Sequence, residues 1–349
     1  MLMIIFGAGA SFGSRPVNEP TLATRPPLAA GLVSEDFGRY TSEYPSSRPV
    51  IVRLRRALVE GDGLLETELG RVSQDASTDP ERARHLLSFR FYLNHLVESV
   101  ADGWWNEFDG FTHYAELLER IGAWRSAKRQ AVCLVTFNYD TLLDRSADAQ
   151  VGNWTLRSFD SYVERPDWRL YKLHGSTHWS RVLPSNVEQN ETPPNVGYLI
   201  QHAEQLDFEN GELVADPWAF AVPLREKAVA APGIAVPTDL KQTFCCPPDH
   251  VKRFTRDIED VDRLLLIGWR AVEPHALDLL VKHLTPGYNL AICDVDEASI
   301  GQIRHALGAV ADIANRVQLP FKFTGGFSEL VHPRSQLEFW LDMPPDRRR

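Results

Sequence analysis

Gly7-Ala8-Gly9-Ala10-Ser11, Phe137-Asn138-Tyr139-Asp140 and His174-Gly175-Ser176 each follow directly on an apolar run. Each carries side chains or backbone suited to chemistry. A Gly-x-Gly lets the chain turn tightly and bring its backbone against a pyrophosphate, the next helix adding N–H donors and a partial positive charge. The same pattern also occurs in purely structural turns. Asn138 and Asp140 can orient a hydroxyl, a water or an amide, or can simply cap the helix-like run Thr141 to Arg145. His174 can exchange a proton near neutral pH, or can do no more than bond to backbone. Taken singly, each has a structural reading at least as good as the chemical one.

What changes the odds is the company these segments keep. Strand-like runs occur at Leu2 to Phe6, Ala131 to Thr136, Arg169 to Leu173, Leu264 to Ile267, Asn289 to Cys293 and Val317 to Thr324; most are short, continuous and apolar, as suits strands buried on both faces of a parallel sheet. Helical spacing falls between them. Leu277, Leu280, Val281 and Leu284 follow Pro274, and Ile300, Ile303 and Leu307 follow Asp296, a good N-cap. Strands alternating with helices in this way predict an α/β fold, a Rossmann-like, mostly parallel sheet with helices on both faces. In such a sheet the loops at the carboxyl ends of the strands converge on one crevice, so residues far apart in sequence can meet around one ligand.

The chain of 349 residues is read as a single domain, 1–349, with two additions. From about 50 to 121 no strand is evident; Leu86, Phe89, Leu93, Leu96, Val97 and Val100 mark a long amphipathic helix and Tyr114 to Ile121 another, predicting a helical insertion. The apolar stripe of the longer helix is expected to face a core. From about 183 to 237, Pro, Asn and Glu dominate and predict an irregular loop region.

Composition narrows the partners. With 44% hydrophobic and 24% charged residues the chain is an ordinary globular protein, and its formal charge of −10 gives no basic surplus for direct binding to a nucleic acid backbone. The opening apolar run is too short for a signal segment and no stretch approaches membrane-spanning length, so no membrane association and a cytoplasmic location are expected. Cys133, Cys245, Cys246 and Cys293 lack the paired C-x₂-C spacing of a structural zinc site, which predicts core thiols, no metal and no zinc module. No acidic residue ends a second strand about twenty positions after the Gly-x-Gly, which disfavours a hydride-transfer enzyme.

In order along the chain, GAGAS after a strand, an Asn-x-Asp turn, a His-Gly and then Gly268 resemble the catalytic core of the sirtuins and of the sirtuin-like domains of prokaryotic antiphage systems. The resemblance covers the core strands, about half the chain, and not the helical insertion. It implies that Gly7, Ala8, Gly9 and Ser11 match the Gly-Ala-Gly-x-Ser phosphate loop, and that Pro27 and Leu28 fall in the flexible loop after it, without the Asp-Phe-Arg of true deacetylases. Asn138 and Asp140 match the Asn-x-Asp that contacts the nicotinamide ribose and carboxamide, and His174 matches the catalytic histidine. Gly268 matches the first position of a Gly-Thr-Ser or Gly-Tyr-Ser element from which Trp269-Arg270 departs, and Asp294 falls near the adenine ribose.

The resemblance implies a site that cleaves NAD+. Nicotinamide leaves as a neutral molecule and needs no general acid, so the demand is to stabilise an oxocarbenium-like ribose and deliver a nucleophile to C1′. Asn138 would orient water and ribose, His174 would bond the ribose hydroxyls and act as a base with a pKa near working pH, and Asp140 would fix the carboxamide. Without a zinc module to grip a peptide, water is the expected nucleophile. The expected activity is therefore that of an NAD+ glycohydrolase releasing nicotinamide and ADP-ribose, an NAD-depleting effector held in check by homo-oligomerisation or by a separate partner of the ATPase or Argonaute type. The alternatives are a metal-free deacylase or ADP-ribosyltransferase using the same site, and a non-catalytic module that binds NAD or ADP-ribose as a signal.

Overall fold

Leu-Met-Ile-Ile-Phe places no polar side chain in five consecutive positions, and such a strand is stable only when covered on both faces. It is: β1 (Leu2–Phe6) is buried throughout and lies inside a six-stranded sheet. The structure, a computed structural model, describes residues 1–15, 25–60, 65–184, 196–206, 211–215, 228–235, 244–311 and 321–345.

After β1 come a one-turn helix α1 (Ala8–Phe12) and then α2 (Gly38–Glu43), α3 (Arg48–Glu60), α4 (Leu65–Ala76), α5 (Pro80–Glu107) and α6 (His113–Lys128). The chain returns to the sheet with β2 (Val132–Thr136), passes through α7 (Leu142–Gln150) and α8 (Phe159–Val163), and enters β3 (Trp168–Lys172). A side excursion follows, with β4 (Gly175–Pro184), α9 (Val196–Gln201), β5 (Glu212–Val214) and β6 (Ala228–Ile234). The sheet is then completed by α10 (Pro248–Glu259), β7 (Arg263–Ile267), α11 (Pro274–His283), β8 (Asn289–Cys293), α12 (Glu297–Ala311) and β9 (Phe321–Phe323), before α13 (Gly326–Val331) and α14 (Leu337–Asp342).

The large sheet runs β3-β2-β1-β7-β8-β9, every neighbouring pair parallel. Counted along the chain within this sheet, that order is the doubly wound one, and it reverses between β1 and β7, where a ligand crevice is expected at the carboxyl edge. Because parallel crossovers are right-handed, the helices on either side of the reversal cover opposite faces: α6 packs on α7 and α13, while α10, α11 and α12 pack in turn on one another. The expected fold class is thus the observed one. The expected strand Val317 to Thr324 is observed over Phe321–Phe323, and residues 317–320 lie outside those described.

The described residues between β1 and β2 carry no strand, and after α1 the next helical turn, Ala29–Val33, already precedes residue 50. Within this segment α5 starts where Pro80 takes the first helical position and the Asp79 carboxylate accepts from Glu81 N at 2.9 Å. Leu86, Phe89, Leu93, Leu96 and Val100 are all buried, packed with residues of α3 and α4. Leu87 and Phe91, on another side of the same helix, pack with Leu183, Val229 and Ala231 of the small sheet. The helix is therefore a spine between two cores.

The stretch 183–237 departs from its expectation as irregular loop. It contains α9, β5 and β6, and β4, itself unforeseen, lies between β5 and β6 in an antiparallel sheet. The reason is compositional: β6 reads Ala-Val-Ala-Ala-Pro-Gly-Ile, in which alanine, proline and glycine argue against a strand, yet it is an edge strand, where proline costs no ladder bond. All four cysteines are free, with Cys133, Cys246 and Cys293 buried. Among the described residues no helix is long and apolar enough to cross a membrane.

Candidate functional site at the carboxyl edge

One row of backbone hydrogen bonds crosses the end of the sheet. Leu173 N donates to Thr136 O, Phe137 N to Phe6 O, Gly7 N to Ile267 O, Gly268 N to Cys293 O, and Asp294 N to Phe323 O, each at 3.0 to 3.2 Å. The residues following β3, β2, β1, β7 and β8 are thereby brought into register. His174, Asn138, Gly7, Gly268 and Asp294 leave the sheet in that spatial order. With strands about 4.8 Å apart, the row is on the order of 19 Å long.

At the reversal the two glycine turns lock together. Gly9 N donates to Gly268 O at 3.1 Å, and Gly268 has a φ of +56°. A Cβ at Gly9 would lie 2.8 Å from Gly268 Cα, and one at Gly7 would run into the Gly268–Trp269 backbone. The phosphate-loop expectation is corrected in one respect. The amides of Gly7, Gly9 and Ala10 are already bonded to carbonyls of the chain, and the glycines are required by the approach of Gly268. Ala8 is the exposed residue of the turn.

Asn138 is held by its amide nitrogen. Nδ2 donates to Gly7 O and to Ser11 Oγ, both at 2.9 Å, and lies 3.4 Å from Tyr114 Oη. A carbonyl oxygen can only accept, so these partners fix which way the amide faces. Its Oδ1 accepts no hydrogen bond among the described residues and is not among the fully buried unsatisfied atoms, so it is the end left to a ligand or water. Ser11 is the hub beneath it: its hydroxyl donates to Asp140 Oδ2 at 2.7 Å and meets the Tyr114 hydroxyl at 2.9 Å.

Asp140 faces inward. Oδ2 accepts from Ser11 and Oδ1 from Leu142 N at 3.1 Å, so the carboxylate organises the turn and the start of α7. Burial pushes its carboxyl above the usual range, against the pull of nearby Lys172 and of those hydrogen bonds. Any contact of Asp140 with a carboxamide would be made in addition to this inward role. Lys172, fully buried, reaches under the same turn to Asp140 O at 2.6 Å and Asp144 Oδ2 at 2.7 Å, and Tyr162 donates to Asp144 Oδ1 at 2.9 Å.

His174 stands one strand over. Its carbonyl accepts from Ala235 N at 2.8 Å, and Gly175, at φ +88°, lets β4 turn away where any Cβ would collide with Gly233. The imidazole meets the edge of Phe137 with centroids 5.0 Å apart, and His275 5.7 Å away. Phe137 in turn stacks on Trp269 at 5.4 Å and 13°. Burial, aided by His275, pushes His174 down to about 3. It is a neutral imidazole at working pH, which corrects the expectation of a pKa near neutrality.

Asp294 accepts from Val295 N at 2.7 Å through Oδ1 and is partly buried, which raises its carboxyl while exposed Arg270 lowers it. Pro27 and Leu28 lie beyond a segment, 16–24, that is outside the described residues. Among the described residues no three His, Cys, Asp or Glu side chains are grouped to hold a metal.

Tyr114, Lys172, Asp144 and His275 were not found from the sequence. Lys172 had a signal: a lysine ending an otherwise buried strand must find an acidic or carbonyl partner. Tyr114, on a helix of the insertion, had none.

Solved structures of Sir2 homologues are similar to this chain. A mutant homologue bound to ADP-ribose has 16% identity and a TM-score of 0.42, with 95% of this chain and 88% of that one covered. A mutant bound to 2′-O-acetyl ADP-ribose has 13% and 0.43 over the same shares, and a homologue in complex with NAD has 14% and 0.37 over 89% and 90%. No protein-family profile and no curated protein matches the chain.

Proposed function

We propose that this protein is an NAD+ glycohydrolase in which Asn138 and His174 act on the nicotinamide ribose. The observation that carries the reading is the clamped amide of Asn138, whose Nδ2 is spent on Gly7 O and Ser11 Oγ while Oδ1 accepts nothing among the described residues, one strand end away from the neutral imidazole of His174. A fixed carbonyl dipole with its negative end outward stabilises a developing oxocarbenium and accepts a hydrogen bond from an incoming water. As the C1′–N bond opens, its electron pair returns to the pyridinium ring, water adds to C1′, and the surplus proton is lost to solvent. His174, uncharged, accepts from a ribose hydroxyl without opposing the positive charge at C1′. No metal takes part.

The rest of the ligand follows the row of strand ends. Ala8, exposed in the glycine turn, and Arg270, exposed in the loop after β7, would meet the pyrophosphate, and Asp294 the adenine ribose. We place the activity in antiphage defence by NAD depletion, in the cytoplasm, and under the control of a homo-oligomer or an ATPase or Argonaute-type partner that docks on the helical insertion. An uncontrolled NADase is lethal to its host, and helices α2–α6 exceed what one crossover requires.

The test is to incubate the pure protein with NAD+, with and without candidate activators, and resolve nicotinamide, ADP-ribose and cyclic products. ADP-ribose formed without an acceptor supports the reading. Turnover only with an acylated peptide or a protein acceptor would make the enzyme a deacylase or transferase, and tight binding without turnover would make it a sensor.

A further inference from the structure

His275 lies at the second position of α11 and is not explained by the reaction as drawn. Its ring sits between Phe244, with centroids 4.4 Å apart, and His174, 5.7 Å apart. Its Nε2 is buried and has no hydrogen-bond partner among the described residues. A buried polar atom left without a partner is a standing cost to the fold, and it persists where a ligand supplies what the chain does not. Packing alone would be better served there by an apolar ring. Two imidazoles side by side, both held neutral by burial, offer two neighbouring hydrogen-bonding atoms without charge. A vicinal diol presents two neighbouring hydroxyls.

We propose that His275 is a second substrate-binding imidazole, which together with His174 holds the two hydroxyls of the nicotinamide ribose. This rests on the NAD reading above. It gives the site a reason to select a ribose and fixes the sugar against Asn138 Oδ1.

The test uses the full chain, with ADP-ribose and an analogue whose terminal ribose lacks both vicinal hydroxyls, titrated by calorimetry. His275→Phe keeps a ring between Phe244 and His174 and removes the orphaned nitrogen. It should weaken ADP-ribose binding about 5- to 10-fold, the scale of one hydrogen bond, while leaving the analogue's Kd unchanged and Tm unchanged or higher. His275→Gln, which restores a polar atom at similar reach, should recover most of the affinity, and His275→Leu serves if the larger ring disrupts folding. Normal ADP-ribose binding by the Phe or Leu variant, or an equal loss for both ligands with a lower Tm, overturns the assignment and leaves the NAD reading standing. Failure of the wild-type protein to bind ADP-ribose or NAD+ overturns both.

Discussion

Asn138 donates through Nδ2 to the backbone carbonyl of Gly7 at 2.9 Å, joining the end of β2 to the end of β1 across 131 positions of sequence. The bond lies beside the β1–β7 step at which the strand order reverses, so the same contact ties two strand ends together and aims the side chain. Asn138→Ala removes the outward Oδ1 and should lower NAD+ turnover by at least about 10²-fold, as should His174→Ala. Asn138→Asp is the sharper test. A carboxylate cannot donate to Gly7 O or Ser11 Oγ, and it would place a second charge near buried Asp140. That variant should be inactive and also less stable, by about 2 to 3 kcal/mol in urea unfolding. Near-normal turnover in any of the three, correctly folded, removes Asn138 or His174 from the mechanism.

Tyr114 extends the clamp into the helical insertion. Its ring packs against Phe6 and Phe327, each with centroids 5.3 Å away, and its hydroxyl meets Ser11 at 2.9 Å. Tyr114→Phe keeps the ring contacts and removes one partner of Ser11. Stability should fall by about 1 kcal/mol. Because Asn138 loosens but keeps Gly7, kcat should fall about 3- to 10-fold with KM nearly unchanged. A parallel rise in KM would mean that the hydroxyl serves binding and does not position Asn138.

Lys172 and Asp144 form an ion pair with both side chains out of water. Removing one member of such a pair strands the other charge, so Lys172→Met should cost about 3 to 5 kcal/mol and also release the Asp140 carbonyl. Adding Asp144→Asn removes the stranded charge, while its amide oxygen still accepts from Tyr162. The double variant should regain part of the stability and little of the turnover, measured by urea unfolding and NAD+ cleavage. A double variant less stable than Lys172→Met alone would show that burial of the charge is not the cost.

The histidines set the pH response. His174 stands at about 3 in the folded protein against an ordinary 6.5, and burial lowers His113, His178, His250 and His275 in the same direction. Below pH 6.5 the unfolded chain therefore binds more protons than the folded one. The stability due to these groups is complete above 6.5 and is lost as pH falls toward their folded values. Urea midpoints should drop between pH 6.5 and 4, and less so for His174→Phe. Over the same range kcat/KM should show no break near 6.5 attributable to His174. An acid limb centred there that vanishes on substituting His174 would show an ordinary, titrating imidazole.

The sequence made most strands legible because they are short, nearly continuous apolar runs, and Leu2–Phe6 and Asn289–Cys293 appear at their expected bounds. Their spatial order did not follow from those runs alone, yet a βαβ series constrains it enough that residues after each strand could be expected to converge. Orientation was illegible. Asn138 and Asp140 are two positions apart in one turn, but the first turns its oxygen outward while the second spends both oxygens on Ser11 and Leu142. What separates them is Gly7 O and the Ser11 hydroxyl, which come from elements that only the tertiary fold brings near. The small sheet was hidden by Pro232 and Gly233, residues that normally exclude a strand and here stand in an edge strand.

Control of the site should pass through the insertion. On α3, Val59 is 87% exposed and Arg56 pairs with Glu60 at 3.9 Å across the helix surface, a contact worth about 0.3 to 0.5 kcal/mol. Arg56→Glu and Val59→Glu should therefore change the stability of an isolated chain by no more than about 0.5 kcal/mol. Any larger effect must come from a surface these residues share with another molecule. Tyr114, on α6 of the same insertion, gives such a surface a route to Ser11 and Asn138. If the insertion is the regulatory face, the two substitutions should alter the sedimentation profile or partner binding, and NAD+ turnover should change with it. A monomer that cleaves NAD+ at full rate, in the wild type and in both variants, would reduce the insertion to scaffold.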